Sequence, residues 1–251
     1  MKRLFFGAAL ASIAVMFAVF LSACSLFRDT TDSVFDDGED DIATNRTASA
    51  IESAEFTYEF NDGKGTVLIR YREPDRVRID VWDGDRTAVF CLTGSSGWIY
   101  VRGDVIDMGA EDIEQMHAAL LQALPFKVNF QDLFGNAELQ EETESVCGEE
   151  CNVIHAEFRR SSNPKIPVTL WFGKKSDLLR QVEVTREDGV HTIQYFDYRT
   201  FDDVKLPSHM FRFSPDGATK ISLISFEANT DIPEYVFRKP EKLSALEGDR
   251  K

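Results

Sequence analysis

The chain is short of positive charge, of cysteine and histidine, and of the glycine-rich loops that cradle phosphate. Its 28 Lys and Arg stand against 43 Asp and Glu in 251 residues, a formal net charge of −15. A chain this acidic has no basic footprint for nucleic acid or for anionic headgroups, so any membrane attachment must come from elsewhere. No glycine-rich loop follows a strand and opens a helix, which leaves nucleotide binding without support. The Gly-x-Ser-x-Gly elbow of hydrolases is also missing: Gly94-Ser95-Ser96-Gly97 lacks its spacing and reads as a hairpin turn. The histidines His117, His155, His191 and His209 have no helical ligand spacing and no His-Glu-x-x-His pattern. Carboxylates are so abundant that a catalytic pair picked by eye carries no weight. Together these absences argue against an enzyme, a metal centre and a bound cofactor.

What is present begins at the N-terminus. Lys2 and Arg3 precede an uncharged run from Leu4 to Ala23, which ends in Leu21-Ser22-Ala23-Cys24. A positive start, an apolar stretch and small residues before a cleavage point describe a secretory signal peptide. The cysteine in that place resembles the lipobox of bacterial lipoproteins, whose thiol is alkylated by diacylglycerol before the preceding peptide is removed. That resemblance implies a signal peptide over residues 1–23, lipidation at Cys24, and a lipid-anchored chain in the cell envelope. Ser25, in place of aspartate, resembles an outer-membrane address facing the periplasm. An uncleaved anchor helix is the alternative, since the run is close to the ~20 apolar residues that span a bilayer. Both readings put the remaining chain outside the cytosol.

Asp29, Asp32, Asp36, Asp37, Glu39, Asp40 and Asp41 follow, opposed only by Arg28. Such a run repels itself and has too little apolar surface to fold, so residues 24–42 are expected to form an acidic tether. The ligand spacing and closing glutamate of a calcium loop are absent. After residue 45 no Pro-, Gly- or Ser-rich linker interrupts the chain, and one domain is expected over residues 43–242, before a flexible tail at 243–251. Cys147 and Cys151 bracket Gly148-Glu149-Glu150. In an oxidising compartment this pair reads as a local disulfide, with a zinc site built from Cys147, Cys151 and His155 as the weaker alternative because no fourth ligand is evident. Cys91, in the strand-like Thr87 to Leu92, reads as a buried free thiol.

Short segments rich in aromatic and β-branched residues, separated by turn formers, run from Glu55 to Val101 and again from Ile154 to Phe226. Asp188-Gly189 and Asp216-Gly217 read as hairpin tips. Two helices are expected. One covers Ala43 to Ser53; the other covers Glu111 to Leu124, where Ile113, Met116, His117, Leu120, Leu121 and Leu124 form one apolar stripe that Pro125 ends. His117 on that stripe reads as an edge residue with a backbone or water partner rather than a pH switch. The stripe should lie across one face of the sheet, whose strands offer Val77, Ile79 and Val81, then Val168, Leu170 and Phe172, then Phe211 with Phe213. Trp82, Trp171, Phe196 and Tyr198 fall on the other parity, so both faces carry apolar weight.

The C-terminal segment carries a more specific pattern. Asp197-Tyr198-Arg199, Val204-Lys205-Leu206-Pro207 and the closing Asn229-Thr230-Asp231-Ile232-Pro233-Glu234-Tyr235-Val236-Phe237-Arg238-Lys239-Pro240 resemble the outer-membrane lipoprotein-sorting family of the LolA and LolB type. The match spans roughly Val168 to Pro240. Asp177-Leu178-Leu179, without the family's Gly-Leu, and the Cys147 to Cys151 insert depart from it. The resemblance implies an α+β fold: a strongly curved antiparallel sheet, a half-barrel with helices covering its concave side. Related folds occur in the envelope-stress regulator RseB and in mycobacterial glycolipid-binding lipoproteins. It also implies a cavity lined by Val77, Ile79, Val81, Ile113, Met116, Leu120, Leu121, Leu124, Val168, Leu170, Phe172, Phe211 and Phe213. The partners it implies are lipid or lipoprotein acyl chains, with an envelope protein partner on the RseB-like alternative. A core filled by the chain's own 20 phenylalanines is the competing outcome.

Overall fold

The structure is a computed structural model describing residues 51–110, 112, 113, 116, 134–158, 166–186, 189–202 and 204–240. The strands are β1 (Ser53–Phe60), β2 (Gly65–Arg72), β3 (Arg76–Asp83), β4 (Arg86–Thr93), β5 (Ser96–Val101), β6 (Asp104–Asp107), β7 (Phe134–Val146), β8 (Glu149–Phe158), β9 (Ile166–Gly173), β10 (Leu179–Arg186), β11 (Gly189–Phe201), β12 (Val204–Ser214) and β13 (Gly217–Ala228). They hydrogen-bond in the order β6-β5-β4-β3-β2-β1-β13-β12-β11-β10-β9-β8-β7, so β6 and β7 are the two ends and the sheet is not closed. Two compact units are distinguished. A terminal unit comprises Ile51–Met116 with Leu223–Lys251, and the central unit contains His117–Ser222.

In the terminal unit the register stacks apolar residues into rows. Tyr58, Val67, Val81 and Ala88 face one another across four strands, as do Phe56, Ile69, Ile79, Phe90 and Ile99 across five. Because side chains alternate along a strand, these rows share one face. All but the half-buried Ala88 are buried, Ile69 and Ile79 to 1 % exposure, and each large apolar side chain so buried contributes about 1.5–3 kcal/mol. The row of Tyr71, Val77 and Leu92 ends at Gly97, where an added Cβ would lie 2.5 Å from the Met108 sulfur. Glycine there leaves the space that Met108 occupies.

The opposite face of the same strands sets Arg70, Arg78 and Asp80 beside Val89, Cys91 and Trp98, and is crossed by the chain's last described segment. The Asn229 N–H donates to the Ser53 carbonyl at 2.7 Å, and the Ser53 hydroxyl donates to the Thr230 carbonyl at 2.6 Å. Arg72 on β2 donates to the Ile232 carbonyl, Arg78 on β3 to the Val236 carbonyl, and Trp98 on β5 to the Phe237 carbonyl. Lys239 then pairs with Asp107 on β6 at 2.7 Å. This segment, with a 3-10 turn at Glu234–Phe237, is a strap fastened at successive strands, burying Ile232, Val236 and Phe237 against Val89, Cys91 and Trp98.

In the central unit, Ile154, Leu170, Val182 and Ile193 form one row. Tyr195, Met210 and Ile221 lie on the same face one rung along. Leu170, Tyr195 and Met210 are fully buried. The other face holds a small cluster of Val146, Cys151, Val153 and Trp171.

Three expectations are corrected. The described residues form a sheet with no helix laid over it, so the helical cover of the α+β reading is not upheld among them. Ser53, the last residue of the first expected helix, opens β1. The second helix does start: the Gly109 N–H donates to the Asp112 carboxylate, one half of a capping box, and the Ile113 N–H donates to the Gly109 carbonyl as the first helical bond, both at 3.0 Å. Residues 43–50, His117, Leu120, Leu121 and Leu124 lie outside the described residues. Second, β6 and β7 are additional strands. In β7, Phe-Gly-Asn-Ala-Glu-Leu-Gln-Glu-Glu-Thr-Glu-Ser-Val, both parities are largely exposed at a sheet edge, so no apolar alternation marks it. Third, Cys147 and Cys151 are separate thiols. Val146 pairs with Glu149, which makes Cys147-Gly148 a two-residue turn with φ of 53° and 80°. Cys147 therefore projects from the hairpin tip, while Cys151 lies inside the apolar cluster with its thiol donating to the Glu149 carbonyl at 3.5 Å.

Candidate functional site

In the terminal unit the rows of the apolar face are built from aliphatic and aromatic side chains. Their polar atoms are tyrosine hydroxyls, and burial pushes the Tyr58 phenol far above its ordinary value. Burial, then the charges of Glu73 and Asp75, push Tyr71 up to about 12. Both stay neutral at any physiological pH. The strands of this face place Val77, Ile79 and Val81 together, as expected, with Met116 buried and Ile113 half-buried.

The polar face behind it is a structural lattice. The Arg78 guanidinium makes a bidentate pair with Asp80 at 2.7 and 2.9 Å, and Arg70 bridges Asp80 to Glu55. Arg76 pairs with Glu234 of the strap. The Cys91 thiol donates to the Phe237 carbonyl at 3.2 Å, and burial, the largest influence, pushes its pKa up to about 12. It is an inert thiol, packed like a small apolar side chain.

In the central unit Val168, Leu170 and Phe172 share the apolar face, whereas Phe211 and Phe213 do not join them. Phe211 pairs with Gln194 and Phe213 with Thr192, which places both on the side of Trp171 and Phe196. Phe211 packs edge-on against Phe196 at 5.4 Å, and Phe213 is 41 % exposed. Phe211 and Phe213 are therefore removed from the candidate lining. The alternation that linked them to each other could not say which face they shared with strands elsewhere in the order. Cys24 lies outside the described residues.

Among the described residues no three His, Cys, Asp or Glu side chains gather as metal ligands. The densest polar cluster is instead a tie. Glu149, at the start of β8, accepts from the Ser176 hydroxyl at 3.1 Å, the Ser176 N–H at 3.0 Å and Arg180 Nε at 2.7 Å. Burial alone would raise its pKa, but hydrogen bonds from Ser176 and Arg180 outweigh that and hold it below the usual carboxylate range. A carboxyl depressed in the fold stabilises fully above its unfolded value of ~4.3 and loses that contribution as pH falls through the folded value. Glu149→Gln is thus expected to cost about 1.5–3 kcal/mol at pH 7, with the difference from wild type shrinking toward pH 3. Urea unfolding at the two pH values checks this; an equal deficit at both would contradict it.

Arg212 escaped the sequence reading. It continues the row of Ile193 on β12, paired with Ile193 on one side and Thr219 on the other. The available signal was an arginine between two phenylalanines in a strand, Phe211-Arg212-Phe213. If those rings face one side, the arginine must face the other.

No known sequence family matches the chain, and no curated protein matches it. Solved structures do. A DUF1329 family protein from Desulfovibrio piger is 13 % identical with a TM-score of 0.53, covering 80 % of this chain and 94 % of its own. A putative outer membrane lipoprotein-sorting protein domain from Vibrio parahaemolyticus is 14 % identical with a TM-score of 0.48, covering 74 % and 89 %. A LolA superfamily protein from Nitrosomonas europaea is 14 % identical with a TM-score of 0.47, covering 74 % and 88 %. At these identities the likeness is one of fold.

Proposed function

We propose that this protein is a non-enzymatic lipoprotein of the bacterial envelope, anchored through acylation of Cys24, that takes acyl chains or another lipid on the apolar face of its sheet. The role would be carriage or reception of lipid or lipoprotein on the way to the outer membrane. The observation that carries the reading is the apolar face itself. Rows of aromatic and aliphatic side chains are aligned across successive strands of an open sheet, and the tyrosines among them stay neutral at physiological pH. Hydrocarbon transferred to such a surface gains ~0.8 kcal/mol per buried CH₂, so part of an acyl chain is enough for useful affinity. Candidate contacts are Val77, Ile79, Val81, Ile113 and Met116 in the terminal unit and Val168, Leu170 and Phe172 in the central unit. Leu120, Leu121 and Leu124 complete the set on the family resemblance.

The test is lipid extraction and mass spectrometry of the full chain purified from envelopes, followed by titration with a fluorescent fatty-acid probe. Co-purifying acyl lipid is expected. Leu170→Trp, which crowds the apolar face, should weaken probe binding by more than about tenfold, about 1.4 kcal/mol. Phe213→Ser on the other face should leave it unchanged. A protein that carries no lipid and takes up no probe would sink the reading.

The second reading is a sensor or interaction module of the RseB kind. It is favoured by one observation, the exposure of Phe213 at 41 % and Val190 at 48 % on the side of the sheet away from the lipid face. On that reading Phe213→Ser abolishes co-purification of one envelope protein while Leu170→Trp does not.

A further inference from the structure

The sheet of the central unit is exposed on the side opposite its buried rows. Three rungs cross β11, β12 and β13 there, those of Thr192, Gln194 and Phe196, with Val190 one step beyond the first. No member of these rungs is buried: Phe213 is 41 % exposed and Val190 48 %, while Phe196 and Phe211 are half-buried, their rings edge-on at 5.4 Å. On the same strands Ile193, Tyr195 and Met210 face the other way and are 3 % exposed or less. The exposed side holds no Asp or Glu across these rungs, in a chain with 43 of them. Its ionisable members are Lys220, beside Phe211, and His209, beside Phe196. Carboxylates resume at the rim, with Glu183 next to Thr192 on β10 and Asp197 4.0 Å from His209. β7 provides the contrast, since Glu138, Glu141, Glu142 and Glu144 are all exposed along it.

Size and charge select the occupant. About ten positions spaced ~4.8 Å across strands and ~6.8 Å along them cover roughly 300 Å². A stable protein complex takes ~800 Å² on each side, so a patch of this size alone holds neither a second copy nor a free partner. A domain already tethered to its target needs far less contact, because the tether keeps the local concentration near the millimolar range. The bilayer that holds Cys24 is such a target. The chain between Cys24 and Ile51 reaches at most ~90 Å and leaves open which side of the central unit meets that bilayer. Surfaces lined by carboxylates are kept away by anionic headgroups and by the cost of drying a charge. We propose that the outer face of β11, β12 and β13 is the side that rests on the bilayer, with Val190 and Phe213 entering the headgroup layer and Lys220 meeting its phosphates. The inference rests on the acyl anchor at Cys24 and is independent of whether the buried side takes up lipid. Attachment comes from the acyl chains, and the face sets the orientation.

The full chain, purified from envelopes and checked by mass spectrometry of its N-terminus, is reconstituted in vesicles of phosphatidylethanolamine and phosphatidylglycerol. The vesicles carry a phospholipid with a photoreactive diazirine just below its headgroup, and crosslinked peptides are mapped after illumination. Peptides of β11 and β12 are expected to carry several-fold more label than those of β7. The double change Val190→Glu with Phe213→Glu, at exposed positions that the fold tolerates, should cut that label about tenfold while the anchored amount stays the same. Equal labelling of β7 and of β11 with β12 in wild type overturns the inference without requiring any variant to fold. Undiminished label in the folded double variant overturns it as well. A face that stays unlabelled in vesicles but crosslinks to one protein in whole envelopes overturns it in favour of a protein partner. An N-terminus without acyl chains removes the anchored reading and this inference together, and the N-terminal mass alone tells that failure from the others.

Discussion

Replacing Asp80 with alanine is expected to destabilise the protein by about 3–5 kcal/mol, the cost of leaving a buried charge without its partner. Asp80 is 2 % exposed and Arg78 5 %, and the two meet through three hydrogen bonds between 2.7 and 3.1 Å. Removing the carboxylate strands the Arg78 guanidinium and withdraws an acceptor from Arg70 at 3.2 Å as well. Arg78 would keep its bond to the Val236 carbonyl of the strap. The pair's net worth is a separate quantity, since desolvating two charges offsets much of their attraction. The double change Arg78→Met with Asp80→Leu should accordingly lose far less than Asp80→Ala alone. Chemical unfolding of the four proteins of this cycle checks both statements. Equal losses for the single and double variants would mean that the lattice is not a coupled unit.

Phe237→Ala carries an expected loss of similar size, about 3–5 kcal/mol, from the removed side chain and the cavity left behind. Phe237 is 4 % exposed, in the cluster with Val89, Cys91 and Trp98, and its carbonyl accepts from both Cys91 and Trp98. Tyr235, two residues earlier in the same turn, is 64 % exposed and supplies the control: Tyr235→Ala should stay within about 0.5 kcal/mol of wild type. Thermal or urea unfolding separates the two. If both variants were equally damaging, the strap would be held by its backbone path rather than by the side chains it buries.

The strap shows what part of the design was legible in advance. Asn229, Ile232-Pro233, Phe237 and Pro240 stood out as a pattern, and the structure gives that pattern its physics. Asn229 adopts φ of 54°, which asparagine tolerates, and its side-chain oxygen accepts from the Glu52 N–H at 2.8 Å, turning the chain off β13 and over β1. The Tyr198 and Leu206-Pro207 positions are likewise explained. Pro207 pairs with Tyr198, whose hydroxyl donates to the Leu179 carbonyl at 2.7 Å. β7 was not legible, because an exposed edge strand needs no apolar alternation. The disulfide expectation failed because separation along the chain carries no information about turn type: with Cys147 inside a two-residue turn, the nearby cysteine faces into the sheet.

By itself the sequence determined strands, turn positions and the apolar parity within each strand, because these depend on neighbours one to four residues away. It determined the acidity of the chain and the lipobox-like start. Only tertiary structure decided which strands' parities fall on a common face, since that depends on registers between segments far apart in the chain. For this reason Val168, Leu170 and Phe172 parted from Phe211 and Phe213, and an arginine unremarkable in its own strand came to end an apolar row. The charges of Arg70, Arg78 and Asp80 could be counted in the sequence. That Arg78 and Asp80 are buried beneath a strap from the other end of the chain, with Arg70 half-buried beside them, is a property of the fold, where the Val236 carbonyl and neighbouring side chains replace the water those groups would otherwise require.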